Sequence, residues 1–255
     1  MKKIYLKINE INYPHIAYGF FTRIGGYSKN NFSSLNCNTS SKDNIRLVKK
    51  NIEIAKKILK ISNKKLKTSN QIHSNIIANI NNKNFNTIIK ADGLITNDHS
   101  IALAVLTADC TPIFIFDKNK SFICCLHAGW KGSLSNITIN SLNVIKKYNK
   151  DLNDIIVIIG PCISKNNFEV DYNFKYQFIE NNPDYIKFFQ EKNESKDLFN
   201  MRGLINYQFK SIGLKNIFNL DLDTYQNNQL FFSYRRSKHD NLQETGRMIN
   251  IISFK

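Results

Sequence analysis

Cys110 and His127 are the residues whose types and spacing most directly suggest chemistry. They flank two apolar runs that are joined by the polar segment 117–120. An Asn in such a segment suits left-handed backbone angles, so the pattern predicts a β-hairpin. A turn centred between Lys118 and Asn119 would place Cys110 opposite His127, with their Cβ atoms about 5 Å apart. Such a pair can share a metal ion or act as a Cys–His pair.

Each of the two residues also has an ordinary structural interpretation. Cys110 alone fits a small buried apolar side chain, and His127 alone fits a hydrogen-bonded strand end. The residues after His127 favour a site, because Gly129 and Gly132 permit a tight turn where a strand passes into a helix. Backbone N–H groups at the start of a helix favour an anion. The stretch therefore indicates a reactive or metal-binding pair beside a turn that can hold an anion.

A catalytic zinc ion typically takes three protein ligands and leaves one position for water or substrate. His73 lies just before an apolar run, and with Cys110 and His127 it would form a His2Cys set that suits zinc or copper. The other histidines stand in less suitable contexts: His15, His99 and His239. Spacing alone does not single out His73.

Apolar periodicity predicts the elements that must position these residues. Helical spacing indicates four helices, at residues 44–60, 134–147, 171–181 and 197–212. Short β-branched runs indicate strands at 4–8, 76–80, 101–106, 113–116, 122–126 and 155–159. The Asn- and Lys-rich stretches 81–87 and 189–196 are predicted to be surface loops.

The predicted strands are apolar on both faces and must therefore be covered on both sides. Helices and further strands are available to cover them, so the sequence predicts a layered α/β or α+β fold. No internal repeat and no linker rich in Gly, Ser or Pro divides the chain. We therefore expect a single domain over residues 1–255.

Composition limits the class of protein. The chain has 255 residues, a formal net charge of +16 and 42% hydrophobic residues, which is typical of a globular protein. Only six of its 36 basic residues are Arg, and no stripe of Arg with stacking aromatics is present, so specific nucleic-acid binding is not expected. Five cysteines without CxxC spacing argue against a disulfide framework. With no apolar stretch of about 20 residues and no secretory leader, we expect an intracellular protein without a membrane segment.

The chain also resembles the YfiH/YlmD-like proteins, once called multicopper polyphenol oxidases or laccase-domain proteins. The resemblance covers nearly the whole chain and rests on several unrelated motifs in the right order. Those motifs are Phe21-Thr-Arg-Ile-Gly-Gly26, Gln71-Ile-His73, Ala91-Asp-Gly93, Thr107-Ala-Asp-Cys-Thr-Pro112, His127-Ala-Gly-Trp-Lys-Gly132, Gly160-Pro-Cys-Ile163, Phe168-Glu-Val170, Phe232-Ser-Tyr-Arg-Arg236 and Thr245-Gly-Arg247. Lys131 stands where the family often has Arg, which keeps the charge but loses a bidentate fork.

The resemblance implies that His73, Cys110 and His127 are metal ligands and the catalytic residues. It implies an α+β fold with α/β/β/α layers, mixed sheets flanked by helices and a Cys–His hydrolase-like topology, in a monomeric cytoplasmic protein. It also implies phosphorolysis of purine nucleosides, namely adenosine, inosine and S-methyl-5'-thioadenosine, with some adenosine deaminase activity. The cofactor would be Zn2+, or Cu2+ if the phenol oxidation attributed to the family applies.

Phosphorolysis needs a bound phosphate, and four basic residues are candidates to contact it: Arg23, Lys131, Arg235 and Arg236. The two arginines of the 235–236 pair fit a solvated strand end equally well. Asp109 would point away from the Cys110 face of a regular strand and is interpreted as structural support. Acid/base candidates are Asp92 and Glu169, and aromatic candidates to stack on a purine are Phe21 and Trp130.

Rival functions make different demands on the sequence. A zinc cytidine deaminase would show H-x-E and P-C-x-x-C, and neither motif is present. A blue-copper oxidase would need several His-rich copper sites, which five histidines cannot fill. A metal-free hydrolase would use Cys110 as nucleophile and His127 as base, and would leave His73 without a clear role. A zinc-stabilised interaction domain would need a fourth protein ligand, for which the only candidate is the distant Cys162.

Overall fold

The computed structural model describes residues 3–255. It contains fourteen strands within that range: β1 Tyr5–Leu6, β2 Ile16–Phe21, β3 Lys65–Lys67, β4 Ile77–Asn79, β5 Gly93–Thr96, β6 Ile101–Thr107, β7 Thr111–Asp117, β8 Ile123–Ala128, β9 Ile155–Ile159, β10 Glu169–Asp171, β11 Phe189–Asn193, β12 Lys196–Phe199, β13 Asn216–Asn219 and β14 Met248–Phe254. Six α-helices accompany them: α1 Ile45–Ile58, α2 Trp130–Leu134, α3 Ile137–Ile145, α4 Tyr172–Asn181, α5 Met201–Ser211 and α6 Tyr234–His239.

Two large sheets form the centre of the molecule. The first has five strands in the order β1-β2-β14-β6-β3, antiparallel except where β3 runs parallel to β6. The second has six strands in the order β13-β9-β7-β8-β5-β4, with parallel pairs at both of its edges. A third, antiparallel sheet joins β10, β12 and β11. The loop between β6 and β7 connects the two large sheets and carries Cys110.

The two large sheets stack face to face and are covered by helices on their outer faces. Phe20 and Phe114, one from each sheet, stack with ring centroids 4.5 Å apart in the apolar layer between them. Ala55 of α1 belongs to the apolar cluster on the outer face of the first sheet. Ile145 of α3 and Leu204 of α5 belong to the cluster on the outer face of the second. The layered α/β/β/α, α+β fold predicted from the sequence is confirmed, and coverage on both faces explains why the central strands are apolar throughout.

Several predicted elements are confirmed, and three differ from the sequence pattern. The predicted loop 189–196 is wrong, since it forms the β11–β12 hairpin, whose residues are mostly exposed and polar. The helix predicted over 197–212 begins only at Met201, where the Asn200 side chain accepts a hydrogen bond from the N–H of Gly203. The helix predicted over 134–147 begins only at Ile137 as α3, because Asn136 adopts a left-handed backbone with φ 60° and separates it from the preceding α2.

Within residues 3–255, none of the helices has both the length and the hydropathy needed to cross a bilayer.

Candidate metal centre

The β7–β8 hairpin forms as predicted, but its register differs from the prediction by two residues. Thr111 pairs with Ala128 and Pro112 pairs with His127, so the predicted direct pairing of Cys110 with His127 is wrong. The turn is centred later in the chain than expected: Lys120, and not Asn119, has the left-handed backbone, with φ 62°.

The Asp117 side chain accounts for this longer turn. Its oxygens accept hydrogen bonds from the N–H of Ser121 at 2.7 Å and from the Ser121 hydroxyl at 2.6 Å. Asp117 is fully buried, so these bonds satisfy a carboxylate that has no access to water.

Cys110 lies just before β7, and Asp109 determines where its side chain points. Asp109 has a left-handed backbone, φ 86°, which is unusual for a residue other than glycine. Its buried carboxylate accepts hydrogen bonds from the hydroxyls of Thr224 and Ser233 and from the N–H of Arg235, at 2.7–2.9 Å. Burial raises the pKa of the Asp109 carboxyl above its ordinary value, although these hydrogen bonds oppose the shift. The carboxylate thus holds the bend that presents Cys110, the supporting position expected from the sequence.

His73 is positioned by the carboxylate of Asp92, the residue that precedes another strand, β5. The residue has a left-handed backbone, φ 58°, in the segment between β3 and β4. Asp92 lies directly before β5, and its oxygens accept hydrogen bonds from three successive N–H groups, those of Ile72, His73 and Ser74, at 3.2, 3.0 and 2.6 Å. The Ser74 hydroxyl donates to the same carboxylate at 2.8 Å. A fully buried carboxylate therefore fixes the backbone on which His73 is carried.

The same carboxylate orients His127. Nδ1 of His127 donates to Asp92 Oδ1 at 2.8 Å, and the His127 N–H donates to the Asp92 carbonyl at 2.7 Å. Although burial opposes ionisation, the hydrogen bonds from His127 and Ser74 lower the pKa of Asp92 to about 2. Because Nδ1 is occupied, the Nε2 atom of His127 is the nitrogen left to bind a ligand.

The three predicted ligand residues come together around one point. Their ligand atoms, one each from His73, Cys110 and His127, all lie within 4.8 Å of one another. The two imidazole rings meet edge to face with their centroids 5.0 Å apart. Gly129 passes so close that a Cβ atom there would lie 3.0 Å from His73 Cδ2 and 3.1 Å from Cys110 Sγ. Any larger residue at position 129 would crowd the centre of the site.

The Cys110 thiol and the His127 imidazole each favour the charged form of the other. Burial alone would raise the pKa of Cys110, but the charge of His127 and hydrogen bonds from His127 and His73 lower it to about 6. Burial likewise opposes the charging of His127, yet the Cys110 thiolate and the Asp92 carboxylate raise its pKa to about 9. A thiolate and an imidazolium therefore face each other at neutral pH in the metal-free protein.

The donor set fits a metal ion. Two imidazoles and one thiolate are borderline-soft ligands of the kind that zinc and copper take, and three protein ligands leave a position open. The Asp92–His127 hydrogen bond is the outer support that histidine ligands of metals usually have. This is the single cluster of three or more His, Cys, Asp or Glu side chains suited to a metal within the described residues.

The site opens into a cleft of about 1230 Å³. Trp130, Phe168 and Phe174 form an aromatic wall, with ring centroids 5.0 Å apart for Trp130–Phe174 and 6.0 Å apart for Phe168–Phe174. The acidic side chains on the cleft are already engaged: Asp109 as described, Glu169 in an ion pair with Lys192, and Asp171 as the cap of α4. Glu169, predicted as an acid/base candidate, reaches the cleft in this paired state.

The four predicted phosphate contacts are not equivalent. Of these, Arg235 lines the cleft, and its guanidinium donates to the Glu169 carbonyl at 2.9 Å. Arg23 instead donates to the Ser33 and Asn228 carbonyls and packs on the Phe232 ring, and it does not line the cleft.

Arg236 and Lys131 also lie off the described cleft lining. The Arg236 guanidinium donates to the backbone carbonyls of Thr224, Tyr225 and Phe231, so it braces the loop before α6. The Lys131 ammonium lies 5.4 Å from the centre of the Trp130 ring. Of the four predicted phosphate contacts, only Arg235 therefore lines the cleft, and a contact of any of them with phosphate stays a prediction.

The structure also separates the remaining candidates. Trp130 lines the cleft, but Phe21, the other aromatic candidate, is buried in the core beside Tyr5. Asp92 is completely buried and fully hydrogen-bonded, so it supports the two histidines and does not meet a substrate. Arg247 lines the cleft, although no role was predicted for it. The Thr245-Gly-Arg247 motif was the sequence signal that pointed to this residue.

Comparison with known proteins places this site in a family. The model of the family described as multi-copper polyphenol oxidoreductase laccase matches residues 17–255. The chain belongs to this laccase-like family. The purine nucleoside phosphorylase RP494 of Rickettsia prowazekii (strain Madrid E) is 32% identical over 186 residues, 72% of this chain and 76% of that protein.

Solved structures of the laccase-like family share the fold. Neisseria meningitidis protein NMB0706 matches with a TM-score of 0.89 and 26% identity, over 99% of this chain and all of that one. Bacillus licheniformis hypothetical protein YfiH matches with a TM-score of 0.86 and 29% identity, over 94% and 93% of the two chains. The resemblance to the YfiH/YlmD-like proteins is thereby confirmed.

Proposed function

We propose that this protein cleaves purine nucleosides with phosphate, at a zinc site formed by His73, Cys110 and His127. Adenosine, inosine and S-methyl-5'-thioadenosine are the proposed substrates, with an accompanying adenosine deaminase activity, in a monomer that acts in the cytoplasm. The observation that carries the proposal is the convergence of the three side chains, within 4.8 Å of one another, on a cleft large enough for a nucleoside and phosphate. The phosphorylase name of the Rickettsia relative supports the reaction class.

Cys110 and the two histidines would hold the zinc ion and leave one position facing the cleft. Zinc in such a site supplies Lewis acidity and lowers the pKa of a bound water molecule to about 7. Cys110 contributes the negative charge of the ligand set, and ligation keeps it a thiolate, so it is not a free nucleophile while metal is bound. The Nδ1–H group of His127 stays hydrogen-bonded to the Asp92 carboxylate.

Phosphorolysis exchanges one bond at the ribose anomeric carbon for another. A phosphate oxygen forms a bond to that carbon, the bond to the purine nitrogen breaks, and the base departs with the electron pair and takes up a proton. Ribose 1-phosphate and the free base result. The aromatic wall of Trp130, Phe168 and Phe174 offers faces on which a purine can stack. Arg235 offers the phosphate a guanidinium.

The deciding experiment incubates zinc-loaded protein with adenosine, with and without phosphate, and identifies the products by chromatography. Adenine and ribose 1-phosphate, formed only with phosphate, are the expected products of the main reaction. Inosine formed in both samples would measure the deaminase activity. If neither product forms and copper-loaded protein oxidises a phenol, the proposal is wrong. The same assay with inosine and S-methyl-5'-thioadenosine ranks the substrates.

A metal-independent hydrolase is the second candidate, and one observation favours it. Cys110, His127 and Asp92 form a nucleophile–base–carboxylate series, because His127 bonds to Asp92 through Nδ1 and interacts with the sulfur. The position of His73 against the same sulfur favours the metal site instead, since a hydrolase gives His73 no task. Protein treated with a chelator separates the candidates: a hydrolase keeps its activity, and the zinc enzyme loses it until zinc is restored.

Copper-dependent oxidation of phenols is the third candidate and rests on the name of the family, multi-copper polyphenol oxidoreductase laccase. Residues 3–255 hold one cluster of potential metal ligands, whereas a multicopper oxidase needs several. Assaying copper-loaded protein beside zinc-loaded protein, with a phenol and with adenosine, tests this candidate directly.

A further inference from the structure

The Thr245-Gly-Arg247 motif places a cation on the lining of the cleft into which the metal centre opens. β14 begins at Met248, one residue after Arg247, and Met248 pairs with Thr107 at the end of β6. Thr107 is followed by the bend that presents Cys110. Arg247 therefore lies at the start of the strand next to this bend, and it lines the cleft together with Cys110.

A loop rich in hydroxyl groups is tied to the backbone of Arg247. The buried Asn36 side chain accepts the N–H of Arg247 at 3.0 Å and the N–H of Asn38 at 3.1 Å through one oxygen. The N–H of Cys37 donates to the Arg247 carbonyl at 3.1 Å. Thr39 and Ser40, the next residues, line the cleft. The loop and the arginine thus form one fixed corner of the cleft.

The guanidinium of Arg247 has no carboxylate to neutralise it. Its Nη1 donates to the carbonyls of Thr245 and Gly246 at 3.0 and 3.1 Å, and no ion pair joins it to an acid in the described part of the chain. The acids nearest in sequence are used elsewhere: Glu244 accepts the N–H of Lys42, and Asp43 accepts the Asn36 amide. A fixed, partly buried guanidinium without an acid is suited to bind an external anion.

Ser69 adds an unused donor to the lining of the same cleft. It lines the cleft, as do its neighbours Thr68 and Asn70. Its hydroxyl oxygen is buried and has no hydrogen-bond partner within residues 3–255. A buried hydroxyl without a partner is costly, so its presence calls for an explanation. A ligand that accepts its proton, once the Ser69 side chain rotates toward the cleft, provides one.

From this corner we infer a binding site for a tetrahedral phosphate group, formed by Arg247 with the hydroxyls of Thr39, Ser40 and Ser69. The inference deepens the proposed function, on which it rests for the identity of the anion. Two sources share this chemistry: inorganic phosphate, and a phosphate ester carried by the nucleoside. The position of Arg247 beside the Cys110 bend brings either source near the metal centre, and Arg235 supplies a second guanidinium to the cleft.

Three variants test the site. R247M removes the guanidinium but keeps the backbone hydrogen bonds to Asn36 and Cys37. R247K keeps the positive charge but loses the planar group that can donate two parallel hydrogen bonds to an anion. S69A removes only the hydroxyl, and because that hydroxyl bonds nothing, the melting temperature should not fall. R46M is the matched control, since Arg46 is exposed on α1. Calorimetric titration of zinc-loaded protein with inorganic phosphate, and separately with adenosine 5'-monophosphate, measures binding without requiring turnover.

We expect R247M to weaken binding of the phosphate group roughly tenfold to a hundredfold, the usual effect of losing a charge-assisted contact. R247K should fall between R247M and wild type, S69A should weaken binding several-fold, and R46M should bind as wild type does. Weakening for inorganic phosphate identifies the co-substrate as the occupant, and weakening for the monophosphate alone identifies a nucleotide substrate.

The outcomes also separate this inference from the proposed function. If wild type binds phosphate through Arg247 but does not cleave nucleosides, the site stands and the proposed reaction fails. Equal binding by wild type, R247M and S69A for both ligands, or no binding of either ligand to wild type, would overturn the site.

Discussion

Asp92 and His127 are joined by two hydrogen bonds, one from the imidazole Nδ1 to the carboxylate and one from the His127 N–H to the Asp92 carbonyl, at 2.8 and 2.7 Å. The same carboxylate also accepts the N–H groups of Ile72, His73 and Ser74. One buried side chain therefore holds both histidines of the proposed metal centre, through the ring of one and the backbone of the other. The positions of the two ligands are consequently coupled.

Replacing Asp92 by Asn should weaken metal binding about 10- to 100-fold, the usual effect of losing an outer partner of a histidine ligand. The amide keeps the shape of the side chain, but it has one acceptor oxygen where the carboxylate has two. Competition for zinc with a chromophoric chelator measures the affinity. Asp240→Asn, a substitution at an exposed residue at the end of α6, is the control. Wild-type affinity in Asp92→Asn would contradict the role assigned to this carboxylate.

Cys110→Ala should abolish metal retention and activity together while the fold survives, because Cys110 belongs to the connection before β7 and not to the apolar core. Cys124→Ala is the contrasting variant. Cys124 is completely buried in the core, so its loss should cost about 1 kcal/mol of stability but leave the metal bound. Metal analysis after dialysis and thermal melts distinguish the two effects. Full activity in metal-free Cys110→Ala protein would refute the site.

The metal-free protein should show a reactive thiolate at unusually low pH. Cys110 has its pKa lowered to about 6 and His127 has its pKa raised to about 9, so the charged pair exists between these values. As pH falls through about 6 the thiolate is protonated, and as pH rises through about 9 the imidazolium loses its proton. The rate of alkylation by iodoacetamide should accordingly rise through pH 6 in metal-free protein. A single rise near pH 9, the value of an ordinary thiol, would show that the pair does not form.

Gly129→Ala should reduce zinc affinity with little change in the stability of the metal-free protein. The added methyl group would lie 3.0 Å from His73 and 3.1 Å from Cys110, closer than most Cβ contacts, so each ligand must shift by a few tenths of an ångström. Zinc affinity and the melting temperature of the metal-free form are measured side by side. An unchanged zinc affinity would contradict the close fit of Gly129 against the two ligands.

Arg235 and Arg236 are neighbours with different predicted roles. Arg236→Met should lower stability by about 2–3 kcal/mol, because the guanidinium bonds to three backbone carbonyls, those of Thr224, Tyr225 and Phe231. Arg235→Met should instead raise the KM for phosphate and lower stability by no more than about 1 kcal/mol, because its guanidinium bonds to a single carbonyl, that of Glu169. Urea unfolding and initial rates at varied phosphate separate the effects. A stability loss in Arg235→Met equal to that in Arg236→Met would remove Arg235 from the proposed site.

Local pattern predicted much of the fold, since the buried strands and α1 follow from apolar periodicity. It failed where one side chain overrides the pattern. Asp117 lengthens the hairpin turn and moves the register by two residues, and Asn136 interrupts a helix that its neighbours favour. The β11–β12 hairpin is polar and mostly exposed, so its sequence carries no alternation of apolar residues to mark it.

The candidate site was only partly accessible to sequence reasoning. The Cys110–His127 pair was found from an incorrect register; what brings the two residues together is the Asp109 bend. His73 could not be selected by spacing, because its contact with the others depends on the buried Asp92 carboxylate, far away in the chain. The sequence could not tell which basic residues line the cleft and which bond to the protein backbone, because the positions of the carbonyl acceptors are determined only by the folded chain.

The most direct test of the account is the coordination of metal in purified wild-type protein. Metal analysis should give one zinc ion per chain, and X-ray absorption at the zinc edge should show one sulfur and two imidazole nitrogens, with sulfur lost in Cys110→Ala. A stoichiometry near zero after zinc loading, or a coordination sphere without sulfur, would contradict the claim that His73, Cys110 and His127 hold a single metal ion.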